Sequence, residues 1–319
     1  MAVMRRSRIV VIAAAAVVLV AGATTTGVLL LRGPGPECTV PRPATGTSAS
    51  TATDSTGTDT ASQPAGPLTL DAVQLQHAST INAVGMARGL PERARIIAIA
   101  TAWQESNLRN LDHGDLDSLG LFQQRHSQGW GDPAELMDPV YAAGQFYDHL
   151  VKVPGWQEMS LTKAAQAVQR SGFPDAYAKW EPDATALAEQ LGGTVPVALT
   201  CRAGALASTA AAPARAAVPG LGGATPGLAG LVEAAQAEMT GLTVVSVSHD
   251  GDTATIDVAL PNTGAADAGR ALAAWTVAHA TSMHVATVQV LDQQWRAHAW
   301  RTGLPDPLPA GQVTIALAP

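Results

Sequence analysis

Aromatic residues make up only 4% of this 319-residue chain, and charged residues only 14%. Much of the apolar fraction is alanine, which adds little burial per residue. The composition therefore suits Ala-rich helices joined by low-complexity linkers better than one large core. Positive charge is short as well: 19 Lys and Arg stand against 26 Asp and Glu, a formal net charge of −7. A phosphate backbone calls for a basic footprint, so nucleic acid is excluded as a partner. Metal-ligand spacing is also missing, since His113, His126 and His149 form no His-Glu-x-x-His pattern. The acidic loop from Asp112 fails the calcium-loop pattern, because Asp117 and Gln123 stand where that pattern needs Gly and Glu. Neither a metal nor a cofactor is expected.

There are two cysteines, Cys38 and Cys201, and neither sits in a motif with a histidine. Two thiols in an exported chain most often pair. A bridge between them closes a loop of about 160 residues and is worth on the order of 4–5 kcal/mol in the chain-entropy model. Export is indicated by the first 32 residues, where Arg5, Arg6 and Arg8 precede an uncharged run over 9–31. As a helix that run covers roughly 34 Å, enough to cross a hydrocarbon core about 30 Å thick. Basic residues stay cytoplasmic. The expectation is a single-pass protein of the cell membrane, held in the cytoplasmic membrane through residues 9–31, with its C-terminal part extracytoplasmic. Ala21-Gly22-Ala23 offers a cleavage site that would make it secreted instead.

Composition divides the chain into an anchor over 1–32, a disordered linker over 33–67, a helical region over 68–202, an Ala/Gly/Pro linker over 203–227 and a small α+β module over 228–319. The stretch from Pro41 to Pro67 contains almost nothing to bury and reads as a tether. Apolar spacing predicts helices near 71–88, 91–107, 139–151, 161–171 and 183–191. Pro91 and Pro139 suit first turns, Asp138 suits a cap, and Asp183 suits the start of the last helix. Beyond 227 the pattern predicts helices over 228–239 and 265–280. Strands are predicted over 242–247, 253–260, 285–291, 294–300 and 312–317, the first two joined through Asp250-Gly251.

One carboxylate stands out. Residues 96–108 form an Ala-rich helix ending in Glu105-Ser106-Asn107, with Trp103 close by. The negative end of the helix dipole and the apolar surroundings both disfavour ionisation and raise the pKa of Glu105. A carboxyl that keeps its proton near neutral pH is what glycosidic cleavage needs from a general acid. On the helix alone, a solvated glutamate in a last helical turn is the better explanation.

The chain then runs through an acidic loop, Asp112 to Asp117, into Gly120-Leu121-Phe122-Gln123-Gln124. Later come Ala167-Val168-Gln169-Arg170-Ser171 and Ala176-Tyr177. In this order and at this spacing, residues 68–191 resemble the lysozyme-like superfamily, specifically its lytic transglycosylase and goose-type lysozyme group. Glu105-Ser106 matches the first motif of that group and Gly120 to Gln123 the second. Val168 and Gln169 stand where the group carries a Tyr-Asn pair. The run from Asp115 to Trp130 also resembles a domain of actinobacterial cell-wall proteins.

The resemblance implies a mainly α lysozyme-like domain, preceded by a transmembrane helix and followed by the small α+β domain. It implies a peptidoglycan-cleaving glycosidase or lytic transglycosylase, acting on glycan strands between N-acetylmuramic acid and N-acetylglucosamine. Glu105 would protonate the glycosidic oxygen, and Asp117 is the candidate second acid for a hydrolase. Ser106, Gln123, Gln124, Gln169 and Tyr177 are the candidate substrate-binding residues: the glutamines suit N-acetyl and hydroxyl groups, and Tyr177 suits stacking under a sugar ring. The departure at 168–169 keeps a second reading open, a catalytically weak or inactive protein that binds peptidoglycan or joins an envelope assembly through residues 228–319.

Overall fold

The computed structural model describes residues 37–42, 66–170, 175–202 and 220–318, which belong to one compact unit. In chain order the first elements are β1 (Glu37–Val40), β2 (Leu68–Asp71), α1 (Ala72–Ala87), α2 (Glu92–Ser106), β3 (Ser118–Leu119) and β4 (Gln124–Arg125). They are followed by α3 (Pro133–Leu136), α4 (Pro139–Leu150), α5 (Leu161–Gln169), α6 (Glu181–Gly192) and β5 (Thr200–Arg202). The remainder comprises α7 (Pro226–Glu238), β6 (Leu242–Val247), β7 (Thr253–Val258), α8 (Ala265–Ala278), β8 (Val285–Val290), β9 (Gln293–Arg296), β10 (Ala299–Arg301) and β11 (Gln312–Leu317).

Local chemistry sets the helix ends. Asp71 and Gln74 form a capping box: the Asp71 carboxylate accepts from the Gln74 amide at 2.9 Å, and Gln74 Oε1 accepts from the Asp71 amide at 3.1 Å. Asp138 accepts from the amide of Val140 at 2.9 Å and Pro139 fills the first turn of α4, as the spacing predicts. Helix α2 is buried all round rather than along one stripe. Ile96, Ile97, Ala98, Ile99, Ala100, Ala102 and Trp103 all lie in the core, because α1, α4, α5 and α6 surround the helix.

Strand β1 lies between β2 and β5, antiparallel to both, and Cys38 stands in register with Cys201. The two are joined by a disulfide. A larger antiparallel sheet has the order β10-β9-β8-β11-β7-β6. Helix α8 lies against β7, β8 and β11 of this sheet and also against α1 and α6. Its run of small residues makes this double contact possible, and Ala268, Ala271, Ala273, Ala274 and Ala278 are all fully buried. At the junction Gly193 ends α6 with φ +71°, and a Cβ there would stand 2.2 Å from the carbonyl oxygen of Asp267. Only glycine fits this approach.

Polar contacts cross the same junction. Gln76 Nε2 donates to Ser282 Oγ at 2.6 Å, and Glu238 accepts from Thr80 Oγ1 at 3.0 Å and Trp275 Nε1 at 2.6 Å. The β9–β10 hairpin grips the segment ending in β5: Trp295 Nε1 donates to Thr200 Oγ1 at 3.0 Å, Trp300 Nε1 to the Leu199 carbonyl at 2.8 Å, and His298 Nδ1 to the Cys201 carbonyl at 2.7 Å.

The structure corrects two expectations. The protein is not mainly α, because the six-stranded antiparallel sheet forms a full layer packed through α8 on the helices. The single-pass membrane assignment is not supported either, since no helix among the described residues is long and apolar enough to cross a membrane. Residues 9–31, on which the anchor and the localisation rested, lie outside the described residues, as do most of the expected linkers over 33–67 and 203–227. Smaller differences have local causes. Residues 37–40, placed in the linker by composition, form β1 because Cys38 is bridged into the core. The single strand expected over 294–300 is two, turned by Ala297 and His298 at φ 49° and 65°. Positive φ at both turn positions matches the twist of a two-residue hairpin, although neither residue is one that usually signals it.

Candidate active site

Helix α2 ends abruptly. Asn107 and Leu108 both adopt left-handed backbone, at φ 54° and 56°, and Leu108 is fully buried. Their amides return to the Trp103 and Ala102 carbonyls at 2.9 and 3.3 Å, which satisfies the helix end and reverses the chain. Ser106 then reaches across. Its hydroxyl donates to the Leu121 carbonyl at 2.7 Å, stands 3.0 Å from the Ala102 carbonyl, and accepts from the Arg109 amide. From the other side Gln169 Nε2 donates to the Phe122 carbonyl at 2.8 Å. Two successive carbonyls of the Gly-Leu-Phe-Gln run are thereby held from the two helices that border Glu105. Gly120 begins the run at φ +76°, with the Leu136 carbonyl oxygen 2.2 Å from where a Cβ would be.

Glu105 is half-buried at the open end of α2. Tyr177 Oη donates to its Oε1 at 2.6 Å, and the Gln169 amide also hydrogen-bonds to it. Burial pushes the Glu105 carboxyl above its ordinary value, and the two donors oppose that rise by favouring the carboxylate. The result is an acid with one oxygen fixed by a phenol, in a setting that resists ionisation.

The other expected site residues divide. Gln169 and Tyr177 converge on Glu105, although Tyr177 is fully buried and presents no face on which a sugar could stack. Ser106 is also buried and spends its hydroxyl on the loop. Gln124 is buried, with its Nε2 donating to the Ala142 carbonyl at 3.1 Å. Gln123 turns at φ 49° and donates to the carbonyls of His113 and Gly120 at 3.3 and 3.2 Å, so it ties the acidic loop together. Asp117 accepts from Arg125 Nε at 2.8 Å and from the Ser127 amide and hydroxyl at 2.8 and 3.0 Å. These donors, Arg125 foremost, hold its carboxyl well below the usual carboxylate range. Asp117 borders a pocket of about 350 Å³ with Asp112, His113, Leu116, His126 and Pro133, and Glu105 does not line it.

No family model matches the chain, and no curated protein does. The site therefore has to be read from its own geometry.

One neighbour of Glu105 carries no weight in the sequence. Trp180 stacks on Trp103, centroids 5.0 Å apart and planes at 12°, and its Nε1 donates to Gln104 Oε1 at 2.9 Å. Both partners flank the end of α2, so the pair pins the segment that delivers Tyr177. Only proximity in space reveals this, because 77 positions separate Trp103 from Trp180. Ser171, the last residue of the third expected motif, lies outside the described residues. Among the described residues no group of three or more His, Cys, Asp or Glu is placed to hold a metal ion.

Proposed function

We propose that this protein cleaves the glycan strand of peptidoglycan between N-acetylmuramic acid and N-acetylglucosamine, with Glu105 as the general acid. The observation that carries the proposal is the Glu105 carboxyl itself: half-buried, held above its ordinary value by burial, and steadied by Tyr177 at 2.6 Å. The resemblance of Glu105-Ser106 and Gly120 to Gln123 to the lysozyme-like superfamily supplies the substrate class.

In this reading the Glu105 proton passes to the glycosidic oxygen, and the C1–O bond breaks with its electron pair going to the departing sugar. The resulting oxocarbenium ion is captured at C1 by an oxygen nucleophile that gives its proton back to Glu105. We favour the muramyl 6-hydroxyl over water as that nucleophile, which makes the product a 1,6-anhydro sugar. Asp117, the second acid expected for hydrolysis, has both oxygens engaged by Arg125 and Ser127. An internal nucleophile needs no second carboxylate.

Mass spectrometry of peptidoglycan digested with the purified protein tests the proposal. Anhydro ends are expected, and Glu105→Gln is expected to abolish them while the fold is retained. Reducing ends would replace transglycosylation with hydrolysis. Binding without release of muropeptides would select the second reading, a non-cleaving wall-binding protein, which Val168 favours. Its side chain packs into the core where the resembling group carries a polar pair.

A further inference from the structure

Glu105 has two oxygens, and the fold treats them differently. Tyr177 donates to Oε1 at 2.6 Å from a ring with no exposed surface, so the phenol has little room to move away. Gln169 is oriented by the loop: one amide proton goes to the Phe122 carbonyl at 2.8 Å while the amide also hydrogen-bonds to Glu105. Trp180, stacked on Trp103 and bonded to Gln104, fixes the stretch from which Tyr177 projects. Two separate parts of the chain, the end of α5 and the stretch from 177 to 180, thus converge on one carboxyl, and the buried Tyr177 ring is not available for substrate stacking.

We propose that Tyr177 and Gln169 are positioning residues for Glu105, with Tyr177 holding the carboxyl by Oε1, so that the transferable proton resides on Oε2 and faces the substrate. This inference rests on the reading of Glu105 as a general acid, and it assigns to Tyr177 a different task from the sugar stacking that its residue type suggested. A phenol O–H donated to Oε1 leaves Oε2 as the oxygen that carries the proton in the neutral acid. When the proton leaves for the glycosidic oxygen, the same O–H and the Gln169 amide stabilise the carboxylate that remains. That carboxylate then takes the proton of the attacking hydroxyl, so the same two donors serve both halves of the reaction. Tyr177 is the titratable side chain that faces Glu105 among the described residues, and no charged group contributes to the environment of its carboxyl there.

Two measurements on the full chain test this. The first is a pH titration of the Glu105 side-chain carbon by NMR with 13C-labelled glutamate, with Glu105→Gln identifying the resonance. In Tyr177→Phe the midpoint is expected to move upward, because the carboxylate loses a donor while the burial that disfavours it stays. Gln169→Met is expected to move it in the same direction and serves as the deciding variant if Tyr177→Phe does not fold. An unchanged midpoint in the folded variants would overturn the proposal. The second measurement is muropeptide release. Tyr177→Phe is expected to lower kcat by roughly 10-fold to 100-fold with KM nearly unchanged, and to shift the alkaline limb of the pH profile upward. A raised KM with an unaltered limb would assign Tyr177 to substrate binding and overturn its positioning role. If the NMR midpoint moves but the unaltered protein releases no muropeptides, the clamp on Glu105 stands and the cleavage reading fails.

Discussion

Removing the disulfide tests how far the fold depends on covalent closure. Cys38 and Cys201 are 163 positions apart in sequence, and their side chains are 0% and 1% exposed. In the chain-entropy model a loop of that length restricts the unfolded ensemble by about 5 kcal/mol at 25 °C. Replacing both residues, Cys38→Ala with Cys201→Ala, returns that freedom to the unfolded state while β1 keeps its pairing with β2 and β5. For a chain of this size about 1 kcal/mol corresponds to roughly 2–4 °C in melting temperature, so a fall of roughly 10–20 °C is expected. Calorimetry of the oxidised protein and the double variant in one buffer measures it. Urea titration adds a check, since the uncrosslinked unfolded chain exposes more surface and steepens the denaturant slope. A loss below about 1 kcal/mol with unchanged slope would refute the loop-closure account. The bridge would then only decorate a sheet that pairs without it.

Three further outcomes are expected. Glu105→Gln should lower muropeptide release by about 10²-fold to 10⁴-fold, and it should also change the pH dependence of stability. Because the folded protein holds the Glu105 proton more tightly than the unfolded chain, that group's contribution is fully present below the ordinary glutamate range and is lost as pH rises through the raised value. The variant should therefore gain melting temperature relative to the unaltered protein at neutral pH and lose that advantage in acid. Equal melting temperatures at every pH would contradict the burial of the carboxyl. Ser106→Ala leaves the buried Leu121 carbonyl without the hydroxyl it accepts from and should cost about 1–3 kcal/mol by chemical denaturation. A destabilisation near zero, with loss of substrate affinity instead, would return Ser106 to the substrate-binding set. His279 is buried against Trp275 with its pKa pushed down to about 4, mainly by burial. Its contribution is intact above the ordinary histidine value and is lost as pH falls from there toward about 4, by up to about 3 kcal/mol. His279→Gln should flatten that part of the stability profile, and an unflattened profile would point to other groups.

Helices were legible where caps and apolar spacing agreed. Asp71, Asp138 and Pro139 set their starts within a residue or so of where the pattern places them. The C-terminal helices and most of the strands were legible from the apolar pattern alone. The class of the fold was not. Spacing identifies α8 as a helix, but nothing in it says that an alanine-rich helix will be buried on both sides, uniting the sheet with α1 and α6. Strand β1 was hidden by composition, since four residues beside a tether look like more tether until Cys201 stands opposite. At the site, Glu105 stood out by its place at the end of an apolar helix. Side-chain direction did not: Ser106, Gln124 and Tyr177 are all polar and near the motifs, yet each turns inward to a carbonyl or to the carboxylate itself. Residue type says what a side chain can bond, and only packing says with whom.

The grip of the β9–β10 hairpin on β5 sets an order of assembly. Thr200 and Cys201 lie between β1, near the start of the described unit, and residues 295–300, near its close. A nascent chain leaving the ribosome can wind α1 and α2 early, but β5, paired with β1, stays half-clasped until the hairpin is synthesised. Contacts so remote in sequence slow folding and prolong the interval in which unpaired edges are exposed. A premature stop codon after residue 292 would therefore do more than delete a peripheral appendage. It would strip the Trp295, His298 and Trp300 contacts from residues 199–201 and leave β5 held only by β1, the disulfide and the Gln190 side chain.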